Sequence, residues 1–267
     1  MLSNPLIPLP ALIAATHALG THPAIADGCL FEPQGWGRVA EIIDGRSFRL
    51  SDGREIRLAG IEGAADETTR AAALSAPIAG HDVSLLGADD APDRYGRQTA
   101  IVFLGSTETP VQALLLRQGD ALVSAEIADK DCAAEPSQAE ARQAKKGVWA
   151  DPAVTKNAES SGDILARIGR FAVVEGIVLS VRQAGATTYL NFGRNWTRGF
   201  VATISRRTLP ALESACIALK SLKNQRIRVR GYVEARPGPR IKVLRAGQIE
   251  ILHGNWVGLA AQLKVCE

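Results

Sequence analysis

Two Asp-Gly pairs, Asp44-Gly45 and Asp52-Gly53, constrain this chain more than any other feature. Asp-Gly between short apolar runs marks a tight hairpin, because the central residues of the favoured turns need positive φ, which Gly adopts without steric cost. The flanking stretches 38–43, 47–50 and 55–61 are too short for helices and alternate or run apolar as strands do. They predict a three-stranded meander.

A helix is expected next over 66–76, ended by Pro77, which lacks the amide that a helix interior needs. Strands follow at 82–86 and 98–103, separated by an Asp/Pro-rich loop. Thr109-Pro110 opens a helix that stops at Gly119, and 135–146 forms another, with Lys145 and Lys146 in its last turn and Gly147 as its stop. The polar stretch 151–163 reads as a linker. Beyond it, strands at 171–182, 187–192 and 200–205, a helix over 209–222, and strands at 226–234 and 240–244 around Arg236-Pro237-Gly238-Pro239 complete the chain. That β-β-β-α-β-β order is the order of a five-stranded OB-type barrel. The expected fold class is therefore mainly β: a barrel with helices over 27–150, then a second OB-like domain over 164–267.

Length and composition agree with two such domains, since 267 residues at 46% hydrophobic and 22% charged exclude a wholly disordered or coiled-coil chain. Charge is distributed unevenly. Residues 1–162 carry 14 basic and 22 acidic side chains, net −8, whereas 163–267 carry 17 and 6, net +11. A basic second half suits an anionic partner such as nucleic acid, or attraction to the acidic first half.

The first 26 residues read as an export signal, an apolar-rich run followed by Ala24-Ile25-Ala26, an A-x-A cleavage pattern before Asp27. The apolar stretch 6–15 is too short and Pro-broken to span a bilayer, so no stable membrane anchor is expected. Cys29, Cys132, Cys216 and Cys266 make an even count without C-x-x-C spacing, which favours two disulfides over a zinc site. Pairing Cys29 with Cys132 and Cys216 with Cys266 places one bridge in each half, among three connectivities. The expected location is periplasmic or secreted.

Four segments in order carry a family resemblance: GRVAEIIDGRSF at 37–48, IRLAGIE at 56–62, DRYGR at 93–97 and ARQAKKGVW at 141–149. Over residues 35–150 the chain resembles the thermonuclease (staphylococcal-nuclease-like) family. The resemblance implies an OB-fold nuclease that cleaves DNA or RNA with calcium, using two arginines on the scissile phosphate, carboxylates on Ca²⁺ and one further carboxylate to activate water. Arg57 and Arg97 match the two phosphate clamps. Glu62 matches one metal carboxylate, but the other metal position is Arg46 and the general-base position is Ala65. Asp66 or Glu67 beside it are the substitute bases if hydrolysis is retained.

In the second half, strict alternation along Arg226-Ile227-Arg228-Val229-Arg230-Gly231-Tyr232-Val233 places Arg226, Arg228, Arg230 and Tyr232 on one face, expected to be exposed. Cations that track phosphates and a ring that stacks on a base are the equipment of a single-strand platform, which Tyr189, Arg194, Trp196 and Arg198 extend. This half resembles, more loosely, the extra C-terminal OB-like region of some bacterial thermonuclease-family proteins. Trp36 and Trp149 read as packing aromatics. His17, His22, His81 and His253 are scattered, so no His-based catalytic or metal set is visible. The expected function is binding of nucleic acid or a similar polyanion, with hydrolysis absent or reduced and no cofactor. The alternatives are an active Ca²⁺-dependent endonuclease and a periplasmic protein-binding scaffold.

Overall fold

The computed structural model describes residues 31–63, 66–87, 90–124, 134–195 and 197–252. The stretch expected to be an export signal, Ala65, Trp196, Cys29, Cys132 and Cys266 lie outside the described residues, and so do the expectations that fall on them.

The predicted meander is present as β1 (Glu32–Asp44), β2 (Ser47–Leu50) and β3 (Glu55–Leu58), joined by antiparallel pairing. The third strand is shorter than its apolar run suggests. Gly60, at φ +74°, turns the chain after Leu58, and β4 (Ile61–Gly63) leaves the barrel to pair with a later strand. Helix α1 (Glu67–Ile78) is capped by Asp66, whose carboxylate accepts the Thr69 amide at 3.0 Å. Pro77 does not end this helix but sits in its last turn. Its fixed φ is helical, and Leu74 and Ile78, both fully buried one turn apart, anchor that turn in the core. Strands β5 (Asp82–Gly87) and β6 (Arg97–Leu104) close a five-stranded barrel in the order β1-β2-β3-β6-β5, with β3 and β6 parallel. Phe48, Ile56, Leu58, Val83, Leu85 and Val102 fill it, each contributing roughly 1.5–3 kcal/mol by leaving water.

Helix α2 (Val111–Gln118), strand β7 (Ala121–Val123) and helix α3 (Ala134–Gln143) follow. The last is shorter than expected because Lys145, at φ +52°, takes a left-handed conformation before Gly147 is reached. Gly119 and Gly147 then meet back to back; a Cβ on Gly147 would lie 2.6 Å from the Gly119 carbonyl oxygen. Only glycine permits this approach.

Residues 151–163 are not a free spacer. After a 3-10 turn, β8 (Thr155–Asn157) joins a sheet in parallel with β9 (Phe171–Ile177), and α4 (Ser161–Leu165) buries Ile164. The long strand expected over 171–182 bends between β9 and β10 (Ser180–Ala184). Strands β11 (Thr187–Asn191) and β12 (Val201–Ser205), helix α5 (Leu209–Ser214), β13 (Arg226–Ala235), β14 (Pro239–Val243) and β15 (Ile249–Ile251) complete the fold. The helix over 209–222 is interrupted at Cys216, whose φ is +59°, and continues only as a 3-10 turn at Leu219–Leu222. Cys216 is disulfide-bonded.

Strand order in the second sheet runs β10-β11-β12-β14-β13-β9-β8, with β12 and β14 parallel. Since β9 and β10 are consecutive, the bent segment that contains them reaches both ends of the five-strand path. The first barrel has the same path, with its third and fifth strands parallel. The two halves meet where Leu122, Ala141 and Trp149 pack against Phe171 and Val173.

Candidate functional site

Glu62 is the centre of the family-derived site, and local sequence places it. The Gly60 turn carries the chain out of the barrel, and β4 pairs Glu62 with Leu122. Its side chain is 7% exposed. Arg46, at the end of the β1–β2 turn, reaches it with Nη1 at 2.5 Å from Oε1, while the same Nη1 donates to the Ile61 carbonyl at 3.0 Å. Arg57 on β3 lies opposite Ser47 and places Nη2 at 3.9 Å from that carboxylate oxygen. Tyr232, from β13 of the second sheet, donates its hydroxyl to Oε1 at 2.7 Å. Burial, and then the Glu62 hydrogen bond, raise the Tyr232 hydroxyl above its usual pKa.

This donor set does not fit calcium. The ion needs six or more oxygen ligands, whereas the one carboxylate here already faces two guanidinium groups and a phenol. A +2 charge about 4 Å from the Arg46 guanidinium would be repelled by roughly 8 kcal/mol at an effective dielectric of about 20. Among the described residues no group of three or more His, Cys, Asp or Glu side chains is placed to hold a metal.

Arg57 and Arg97, which the resemblance matches to phosphate clamps, share one barrel face, since the parallel register sets Arg97 beside Glu55 and Arg57 beside Thr99. Arg97 is engaged: Asp93 accepts from its Nη2 at 2.8 Å and its Nε at 3.1 Å, and its guanidinium lies 5.0 Å from the Tyr95 ring centre. Arg97 holds the Asp93 carboxyl down at about 2, helped by the Arg97 and Tyr95 amides. With a depressed native pKa, that contribution to stability is complete above the ordinary carboxylate range and is lost as pH falls towards 2. The substitute bases are also committed. Asp66 caps α1, while Glu67 accepts the Gly45 amide at 2.7 Å and pairs with Arg70.

Residues 66–151 match the family model of staphylococcal nuclease homologues. The first half thus contains a segment similar to staphylococcal nuclease homologues, and its barrel is nuclease-like to that extent. The matched segment contains Arg97 and the Lys145-Lys146-Gly147-Val148-Trp149 stretch but begins after Arg46, Arg57 and Glu62. No curated protein matches the chain.

Beside this nuclease-like domain, the expected exposed platform on β13 is corrected. Alternation holds, but the face is covered: Arg228 is 7% exposed and Arg230 not at all. Glu175 on β9 and Glu250 on β15 are the cross-strand neighbours of Arg228. Glu250 accepts from Arg228 Nη1 at 2.7 Å and from Arg230 Nη2 at 2.6 Å, and Arg142 of α3 approaches it at 3.5 Å. Burial alone would push the Glu250 carboxyl up, but the charges of Arg228 and Arg230 outweigh it and the net shift is downward. Arg226 remains exposed and pairs with Glu175, and half-exposed Tyr232 packs edge-on against Phe171 while binding Glu62. Through Arg142 with Glu250 and Tyr232 with Glu62, this face joins the second sheet to the nuclease-like half.

Trp149 is buried in that joint, as a packing aromatic, whereas Trp36 is 73% exposed and packs in no core. Tyr189 is partly exposed on β11, and Arg194 and Arg198 are exposed in the β11–β12 loop. Tyr232 as the partner of Glu62 could not be found from sequence, because the two are 170 positions apart. Replacing Tyr232 with Phe leaves a buried carboxylate one donor short. We expect it to cost about 1.5–3 kcal/mol in urea unfolding, with a coupling of similar size to Glu62→Gln in a double-mutant cycle.

Proposed function

We propose that this protein binds nucleic acid or a similar polyanion and does not carry out the metal-assisted hydrolysis of its family. The observation that carries this reading is the Arg46–Glu62–Tyr232 contact: a guanidinium stands where a metal carboxylate belongs, and a second-sheet hydroxyl closes the remaining acid. The family supplies the affinity for nucleic acid, and the net charge of the second half supports it. The two-domain division at 27–150 and 164–267, export through the Ala24-Ile25-Ala26 pattern and an oxidised set of cysteines belong to the same reading; intact mass of protein from its native host tests the last two.

The deciding experiment is a gel-embedded cleavage assay on single- and double-stranded DNA and RNA, with and without Ca²⁺. No clearing above background is expected in either condition. Strong Ca²⁺-dependent clearing that disappears in Arg57→Ala or Arg97→Ala would overturn the reading, and Glu67→Gln, whose carboxylate already reaches the Gly45 amide, would then identify the base.

A further inference from the structure

We propose that a groove on the outer face of the second sheet holds single-stranded nucleic acid, with Arg236, Arg240 and Lys242 facing phosphates and Tyr189 stacking on a base. This rests on the nucleic-acid-binding reading and locates it away from Arg57, Arg97 and the β13 arginines, keeping Tyr189 of the platform that sequence had suggested.

The groove, of about 360 Å³, is lined by Tyr189, Thr203, Glu234, Arg236, Arg240 and Lys242, with Thr187 and Ser205 at one end. Sheet register explains why these residues converge. Tyr189 pairs with Thr203 and Thr203 with Lys242, while Arg182 on β10 pairs with Tyr189. One rung across four strands therefore reads Arg182-Tyr189-Thr203-Lys242. At about 4.8 Å per strand it spans roughly 14 Å, the scale of a short oligonucleotide and not of one phosphate. Leu190, Ala202, Ile241 and Val243 point the other way, into the core, so the polar face is fixed by the same alternation that builds the barrel.

Charge complementarity selects the occupant. Three cations line the groove against one carboxylate, Glu234, which Arg240 pairs at 2.5 Å. Arg236 and Lys242 are exposed, and among the described residues neither forms an ion pair or a side-chain hydrogen bond. The hydrogen bond from Arg240, with the nearby charges of Arg236 and Lys242, holds the Glu234 carboxyl below its ordinary range, so it stays ionised and paired at neutral pH. At one end, the turn bearing Arg236 packs on the loop bearing Arg194 and Arg198: a Cβ on Gly238 would lie 2.9 Å from the Thr197 carbonyl oxygen. At the other edge Lys242 and Glu234 also line a smaller cavity reaching Glu62, so the groove runs up to the closed nuclease-family site.

Fluorescence anisotropy of a labelled twelve-residue oligo-dT with the full chain tests this. Salt-dependent binding is expected at low ionic strength. Arg236→Ala combined with Lys242→Ala should lower the slope of log affinity against log salt by about 1.4, since each single-strand phosphate contact contributes about 0.7. Tyr189→Ala should weaken binding about fivefold or more while Tyr189→Phe stays near wild type. Lys220→Ala, exposed on a 3-10 turn outside the groove, should leave both quantities unchanged. Arg236 sits on an exposed turn, so its variant reports on the groove even where Tyr189→Ala disturbs the sheet. Wild-type affinity and salt slope retained by the Arg236/Lys242 variant overturn the groove alone. No binding by the wild type overturns the nucleic-acid reading itself, and the protein-binding scaffold then takes its place.

Discussion

Arg46→Asp is expected to lower the thermal midpoint of the nuclease-like domain by roughly 6–20 °C in calcium-free buffer. The estimate follows from removing one partner of a buried ion pair, which costs about 3–5 kcal/mol, at about 2–4 °C per kcal/mol for a chain of this size. Here the penalty includes a second carboxylate placed beside Glu62, whose side chain is 7% exposed and cannot turn to water. Millimolar Ca²⁺ should recover part of the loss in the variant, because an ion that binds only the folded state stabilises it by mass action. The same calcium should leave the wild type unmoved. A calcium-induced rise in the wild-type midpoint would mean that the Arg46–Glu62 pair yields to the metal, contrary to the misfit argued above.

Glu250→Ala should be comparably damaging, about 3–5 kcal/mol, for the opposite charge reason. Its carboxylate serves Arg228 and Arg230, and Arg142 of the nuclease-like domain approaches it, so truncation leaves buried guanidinium groups uncompensated. Arg226→Ala, whose side chain is 59% exposed, should cost less than about 1 kcal/mol on the same strand. Urea midpoints of the two variants measure the contrast directly. Equal, small losses would show that the β13 face is solvated, as sequence alone suggests. The pH dependence has a definite sign: because the net shift of Glu250 is downward, its contribution is complete above its unfolded-state pKa and disappears as pH falls below it. Acid titration of unfolding should therefore show a larger loss in the wild type than in Glu250→Gln.

Sequence determined the strands and their order along the chain, because each is encoded locally. Asp44-Gly45 and Asp52-Gly53 set the first hairpins, period-two alternation marked β13, and Arg46 was visible as a cation where the resemblance implies an acid. The alternation of Arg240 and Lys242 with Ile241 and Val243 on β14 is equally local, with fewer arginines than β13. Alternation states which residues share a face but not what covers it. Only the tertiary structure decided that Glu175 and Glu250 flank Arg228, that α3 brings Arg142 to the same carboxylate, and that Tyr232 reaches Glu62. Burying a cation requires a nearby acid, and here those acids come from other strands and, for Tyr232, a partner in the other half of the chain. The arginine-rich stretch of β13 thus became a joint, and the neighbouring part of the same outer face, on β11, β12 and β14, was left open to solvent.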